Sequence, residues 1–268
     1  MNSLERALVL LKVIEQVPGG LQNAEISRRL NIPKSSCSYI LRRLERAGYL
    51  IRDEATARYR IGLAMVALAH GALREIGIRS VAEPALYKLT NQTGLSAGIG
   101  VLERGRVLLI DRLEGPEFVT SVKPRKREQR DIGSELPVHS TALGKALLAH
   151  LPTAQVLELI AERGLARSTP KTIVSKTKLL QELEAVRRQG YAIADEEADR
   201  GLCALAAPIF DADGMARAAV SVNGSPAEAV WNELTGLVRL VEVAARDISK
   251  RSISQPMQTD VTQPAKTP

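Results

Sequence analysis

Cysteine is nearly absent. The 268-residue chain has two, Cys37 and Cys203, too few for a disulfide framework or a structural zinc site. Both are expected as reduced thiols of a cytoplasmic protein. Aromatic residues make up only 3%, which argues against rows of stacking platforms for single-stranded nucleic acid. No apolar run approaches the ~20 residues of a membrane-spanning helix. The longest, Gly62 to Leu73, is interrupted by His70. The N-terminal stretch carries Glu5, Arg6 and Lys12 inside its apolar pattern and does not read as a signal peptide, so no membrane partner is expected. Internal repeats and motifs for a metal or cofactor are also lacking. At 45% hydrophobic and 25% charged residues, the chain is an ordinary globular sequence of one large or two modest domains.

The charge is unevenly spread. The whole chain carries +7, and residues 1–62 alone carry 11 Lys/Arg against 6 Asp/Glu. A basic small domain beside a nearly neutral large one points to a polyanion binder joined to something else.

Periodicity resolves that small domain. Leu4, Ala7, Leu8, Leu11 and Ile14 repeat at helical spacing after a candidate cap at Ser3, and the helix stops at Pro18-Gly19-Gly20. A second helix spans about Asn23 to Leu30, with Asn23 as its candidate cap. Asn31-Ile32-Pro33 makes a tight turn, since Asn tolerates a left-handed backbone and Pro33 suits the opening of a new helix. In that third helix, about Pro33 to Ala47, Cys37, Ile40, Leu41 and Leu44 form one apolar stripe. Ser35, Tyr39, Arg42 and Arg46 lie opposite, flanked by Ser36, Ser38 and Arg43. Tyr49–Arg52 and Arg58–Ile61 read as a hairpin around Asp53–Ala57. Helix, short helix, tight turn, helix and basic hairpin describe a winged helix-turn-helix. Such a helix fits the major groove of duplex DNA, with short polar side chains near base edges and arginines on phosphates. The candidate DNA-binding residues are Lys34, Ser35, Ser36, Ser38, Tyr39, Arg42, Arg43, Arg58 and Arg60. Tyr59 has two readings, a phosphate contact or packing against the helix.

Residues 63–77 read as a linker helix, too apolar all round to stand free in water. Either it packs on its own domain or it pairs with a second copy, and pairing would place two winged domains on one duplex. From Ile78 the pattern becomes α+β around an antiparallel sheet: a helix to Thr93, strands about the Glu103–Arg106 turn, and another strand at Val119–Val122. A basic loop, Lys123–Arg127, comes after it. Next are helices near 142–150, 154–163 and 175–189, strands at 191–194, 202–210 and 216–222, and a last helix at about 228–249. Beyond that the chain is Gln-, Thr- and Pro-rich and reads as a disordered tail, 253–268.

These residues resemble the IclR family of bacterial transcriptional regulators over positions 1 to about 250. The resemblance rests on Pro33-Lys34-Ser35-Ser36, Leu44-Glu45-Arg46-Ala47-Gly48-Tyr49-Leu50 and Arg58-Tyr59-Arg60-Ile61-Gly62. It rests equally on Leu136-Pro137-Val138-His139-Ser140-Thr141-Ala142-Leu143-Gly144-Lys145-Ala146, and on Gly190-Tyr191 through Glu196-Glu197 to Ala204–Asp211. It implies a winged helix-turn-helix domain at 1–62 and, at 78–252, a GAF-like domain that binds an effector and oligomerises. It also implies a homodimer or homotetramer on palindromic operator DNA, and a small organic effector, often a carboxylate. The effector positions carried over are Thr141, Ala142, Ala194, Leu202, Ala204, Ser221 and Asn223. Ala194 and Ala204 stand where the family more often has polar or sulfur side chains, which implies a roomier, more apolar pocket. One strand step turns Cys203 away from that face.

Other residues keep two readings. His139 reads as a capping or structural histidine, with a pocket role as the alternative. Asp195, Glu196, Glu197 and Asp199 read as a solvated loop by the pocket, with acid–base work or metal binding as the functional alternative, or as partners of Arg200 or the Arg125–Arg127 loop. An enzyme built on Cys203, His139 and Asp195 has no local motif behind it, so no catalytic residue is assigned.

Overall fold

The computed structural model describes residues 2–116 and 131–253. The expected strand at Val119–Val122, the basic loop Lys123–Arg127 and residues 254–268 of the expected tail lie outside the described residues. The chain divides into two compact units, Met1–Glu75 and Ile76–Pro268.

The first unit is built from α1 (Ser3–Glu15), β1 (Leu21–Gln22), α2 (Asn23–Leu30), α3 (Lys34–Arg46), β2 (Leu50–Arg52), β3 (Arg58–Ile61) and α4 (Ala64–Glu75). Asn2, not Ser3, caps α1. Its side chain accepts from Glu5 N at 2.9 Å while Glu5 Oε2 accepts from Asn2 N at 2.8 Å, a reciprocal box that needs a glutamate three residues on. The same logic moves the α2 cap from Asn23 to Gln22, whose N–H donates to Glu25 Oε2 at 2.8 Å. Asn31 takes the left-handed conformation expected of it, φ 50° and ψ 47°, and turns the chain into α3. Leu10, Ile14, Ile26, Cys37, Ile40 and Leu41 form the core with Leu21, Leu50 and Tyr59. The strands order as β1-β3-β2. β1, only two residues long, is too short to register in the sequence pattern.

The second unit contains α5 (Ile78–Thr93), β4 (Ser96–Glu103), β5 (Arg106–Leu113), β6 (Glu135–Leu136), α6 (Ala142–Leu148), α7 (Thr153–Arg163), α8 (Lys176–Gln189), β7 (Ala192–Asp195), β8 (Cys203–Phe210) and β9 (Ala216–Gly224). A 3-10 turn (Ala229–Glu233) and α9 (Leu234–Ile253) complete it. The sheet is antiparallel, in the order β6-β5-β4-β9-β8-β7. α5 and α9 pack together on one face, and α6 lies on the other with α8 behind it. Side chains alternate between the faces. Ala194, Ala204, Ala206 and Ala219 point toward the α6 layer with Leu143, Ala146, Leu179 and Val186, and the small alanines let α6 approach the strands closely.

α6 starts under strict steric limits. A Cβ on Gly144 would overlap the backbone of Val138, so glycine alone fits that contact. Gly144→Ala is expected to destabilise the second unit by at least about 3 kcal/mol, read as a lowered midpoint in urea denaturation.

Candidate functional site

Two surfaces gather the residues singled out in the sequence. On the first unit, Lys34, Ser35, Tyr39, Arg42, Arg43 and Arg46 are exposed or half-exposed along α3, with Ser36 and Ser38 half-buried at its edges. Cys37, Ile40 and Leu41 hold the opposite face in the core. Tyr39 is 50% exposed and carries the Arg43 guanidinium 4.8 Å from its ring centroid, which fixes the direction of both side chains. Arg60 is exposed on the wing, 3.9 Å from Asp53. Arg58 turns inward: its Nη1 donates to Gly20 O at 2.7 Å and lies 3.4 Å from Glu25. Tyr59 is buried in the core, which decides between its two readings in favour of packing. Arg52, absent from the sequence-based set, is exposed on β2 and reaches over the Tyr59 ring at 6.0 Å. It lines a groove with Asn23, Ser38 and Arg42 between α2, α3 and the wing.

On the second unit, a cavity of about 30 Å³ lies between α6 and the sheet. Thr141, Ala142, Ala204, Ser221 and Asn223 line it, together with Gly98, Leu109, Arg112, Leu136 and Leu143. Ala194 faces the same side, paired with Ala204, but is not in the lining. Leu202 is buried just ahead of β8, where its carbonyl accepts from Glu196 N at 3.0 Å, and is also outside the lining. The Thr141 hydroxyl is committed to capping α6: it donates to Pro137 O at 2.6 Å and accepts from Gly144 N at 3.2 Å.

Arg112 escaped the sequence reading. Alternation from Val107 and Leu109 would put Asp111, not Arg112, on the cavity face. The β4–β5 ladder slips, however: Ile99 pairs with Asp111 while Gly100 pairs with Leu109. The extra residue, Ile110, makes a bulge that re-aims the side chains beyond it. Arg112 therefore enters the cavity wall, its side chain 5% exposed and its Nη2 3.6 Å from Glu114. Asp111 points the other way and accepts from Arg79 Nε of α5 at 3.2 Å.

The acidic run is clasped. Lys145 of α6 is 1% exposed; its Nζ donates to Glu197 at 2.7 Å and Glu182 of α8 at 2.9 Å. Burial outweighs Lys145 and holds the Glu197 carboxyl above its ordinary range. Lys171 takes Asp195 at 2.9 Å and Glu196 at 2.8 Å, which holds both carboxyls low. Thr169 and Thr172 donate to the carbonyls of Glu196 and Glu197 at 2.7 Å each. Lys171 and Lys145 are partners that the sequence reading did not name. His139 lies elsewhere: its buried ring donates from Nε2 to Ala166 O at 3.0 Å, and burial pushes its pKa down. The Cys203 thiol donates to Asp195 at 3.3 Å and is pushed up to about 12, mainly by burial, the reverse of an activated nucleophile. Among the described residues no group of His, Cys, Asp or Glu could hold a metal ion.

Comparison with known proteins bears on both surfaces. Residues 70–250 match the family profile described as the bacterial transcriptional regulator IclR C-terminal domain, and residues 3–54 match the IclR helix-turn-helix domain. The chain belongs to the IclR family. It is 30% identical over 248 residues to the HTH-type transcriptional repressor AllR of Escherichia coli, covering 92% of this chain and 89% of AllR. The structure resembles Thermotoga maritima IclR with a TM-score of 0.73 at 28% identity, over 94% of this chain and 99% of that one. An IclR homologue from Microbacterium hydrocarbonoxydans, solved with 4-hydroxybenzoate, superposes with a TM-score of 0.77 at 25% identity, over 93% and 98% of the two chains. This IclR-family chain is a transcriptional regulator with an N-terminal helix-turn-helix domain and an IclR-type C-terminal domain.

The clasp gives a test. Lys145→Met leaves two carboxylates facing an apolar helix, and breaking a buried pair costs about 3–5 kcal/mol. Glu197, already raised by burial from its ordinary value of 4.5, rises further without the ammonium. The native state then holds a proton that the unfolded state has released. Stability of the variant should therefore increase as pH falls from the folded pKa toward the unfolded one. Urea denaturation at pH 7.5 and 5.5 should show a smaller deficit relative to wild type at the lower pH.

Proposed function

We propose that the chain is a metabolite-gated, sequence-specific DNA-binding regulator that acts in the cytoplasm as a homodimer or homotetramer on a palindromic operator. The observation that carries this reading is α3, which presents a basic, polar face to solvent while its apolar face builds the core. Lys34, Ser35, Ser36, Ser38, Tyr39, Arg42 and Arg43 form the recognition surface, and the exposed Arg60 adds a wing contact on the backbone. Arg58, bonded to Gly20 and Glu25, serves by holding the wing against the helices. Residues 1–62 act as the DNA-binding domain, 63–77 as the linker and 78–252 as the effector and oligomerisation domain.

The linker supplies the reason for pairing. No residue of α4 is buried, and Leu63, Val66 and Leu68 are 77%, 63% and 57% exposed. Apolar surface of this kind calls for a covering partner, and a second copy supplies one that sets the spacing of two recognition helices. No helix among the described residues is long and apolar enough to cross a membrane. The effector is a small organic acid bound between α6 and the sheet. It alters DNA affinity by the difference in its affinity for two states of the regulator.

Two measurements test this reading. Arg42→Ala and Arg43→Ala should each weaken retention of a duplex from the chain's own promoter region. Each should reduce the slope of log affinity against log salt by about 0.9 for every phosphate contact removed. Slopes equal to wild type in both variants would remove these arginines from the interface. Separately, Val66→Glu should lower the sedimentation coefficient toward that of the monomer and weaken DNA retention with it.

A further inference from the structure

We propose that Arg43, held in place by the Tyr39 ring, reads one guanine of the half-site from the major groove, while Arg42 serves the DNA backbone. This rests on the DNA-binding reading above and separates base contacts from phosphate contacts on α3. Ser35, Tyr39 and Arg43 follow one another at steps of four residues, so they share one side of the helix. All three are exposed, in a row about 12 Å long that stays clear of the buried face formed by Cys37, Ile40 and Leu41.

Arg42 and Arg43 are neighbours in sequence but stand about 100° apart around the helix. Arg42 turns toward α2 and the wing. Its Nε donates to Ser38 O at 3.4 Å, and it lines the groove there with Asn23, Glu45 and Arg52. Two guanidiniums on one such groove suit the phosphates of a passing strand. Arg43 instead lies over the Tyr39 ring, its guanidinium carbon 4.8 Å from the centroid. Arg58 is engaged by Gly20 O and Glu25, and Arg60 faces Asp53. The Arg43 guanidinium meets no carboxylate or carbonyl among the described residues, so its five N–H donors remain for a ligand. A phosphate accepts from many directions and can be met by a swinging side chain. A base edge lies in one plane and requires a pair of donors aimed along it. Contact with the ring restricts Arg43 before DNA arrives, so less rotamer freedom is lost on binding. Guanine presents two adjacent acceptors, N7 and O6, on its major-groove edge, whereas adenine sets an N–H donor beside its N7. A guanidinium fork therefore selects guanine, and Tyr39 acts as the positioning residue for it.

The test selects duplexes from a random-sequence pool with the full chain, as wild type and as Arg42→Ala, Arg43→Ala, Tyr39→Ala and Tyr39→Phe. The wild-type motif should hold one guanine per half-site whose preference disappears in Arg43→Ala while the rest of the motif persists. Exchanging that G·C pair for A·T in the selected duplex should cost wild type about 5- to 150-fold in affinity and should cost Arg43→Ala nothing. Replacing the guanine by 7-deazaguanine, which lacks the N7 acceptor, should also weaken wild type and leave Arg43→Ala unaffected. Tyr39→Phe keeps the ring and should keep the guanine preference, whereas Tyr39→Ala should weaken it. Arg42→Ala should lower affinity for all duplexes by a similar factor and leave the motif unchanged. Both α3 side chains are exposed, and thermal melting checks the fold of each variant. Should Arg43→Ala melt below wild type, Arg43→Met keeps the stem without the fork and serves in its place. The proposal is overturned if Arg43→Ala selects the wild-type motif, or if 7-deazaguanine weakens wild type and Arg43→Ala equally. It is overturned equally if Tyr39→Ala keeps the full guanine preference, or if Arg42→Ala removes that preference instead. Failure of the DNA-binding reading itself looks different: wild-type protein would enrich no sequence from the pool, and this proposal would fall with it.

Discussion

A lysine ammonium inside a helix otherwise made of Ala, Leu and Gly is tolerable only where carboxylates meet it. Lys145 meets two, from α8 and from the loop between β7 and β8. That single buried cation ties together three segments distant in sequence, one of which roofs the cavity beneath α6. The loop it holds leads through Leu202 into Ala204, which lines the cavity. A buried network of this kind contributes less to net stability than to choosing one arrangement over its competitors.

The first unit depends on a different constraint, the division of one helix between core and solvent. α3 must bury Cys37, Ile40 and Leu41 to hold three helices together, and this fixes which side its arginines present. The wing is anchored by Tyr59 in the core and by Arg58 on the Gly20 carbonyl. One basic residue of the hairpin thus supports the fold, while its neighbours Arg52 and Arg60 remain at the surface. Charge that looks uniform in the sequence divides into structural and available parts once hydrogen bonds are assigned.

The same division separates the features legible in residues alone from those that were not. The α3 stripe, the Asn31 turn and the α+β order were legible because period and turn chemistry are local properties. Five of the seven carried-over effector positions meet around one cavity because the strands that bear them pair in register. The capping boxes moved two helix starts by one residue, as reciprocal bonds from Glu5 and Glu25 outweigh the intrinsic preference of Ser3 and Asn23. Short β1 and β6 have too few residues for any period to show. The partners of the acidic run could not be read at all: Glu197 meets Lys145 across 52 positions of sequence, and nothing in either neighbourhood announces the other. Arg112 was hidden for a further reason, since the strict alternation used to sort strand residues is the rule that its strand breaks.

That break sets the electrical sign of the cavity. Asp111 and Arg112 are consecutive, and a ladder running straight past Leu109 would bring the carboxylate to the wall and send the guanidinium toward α5. Which of two opposite charges lines the cavity is thus decided by where the backbone stores one surplus residue, not by composition.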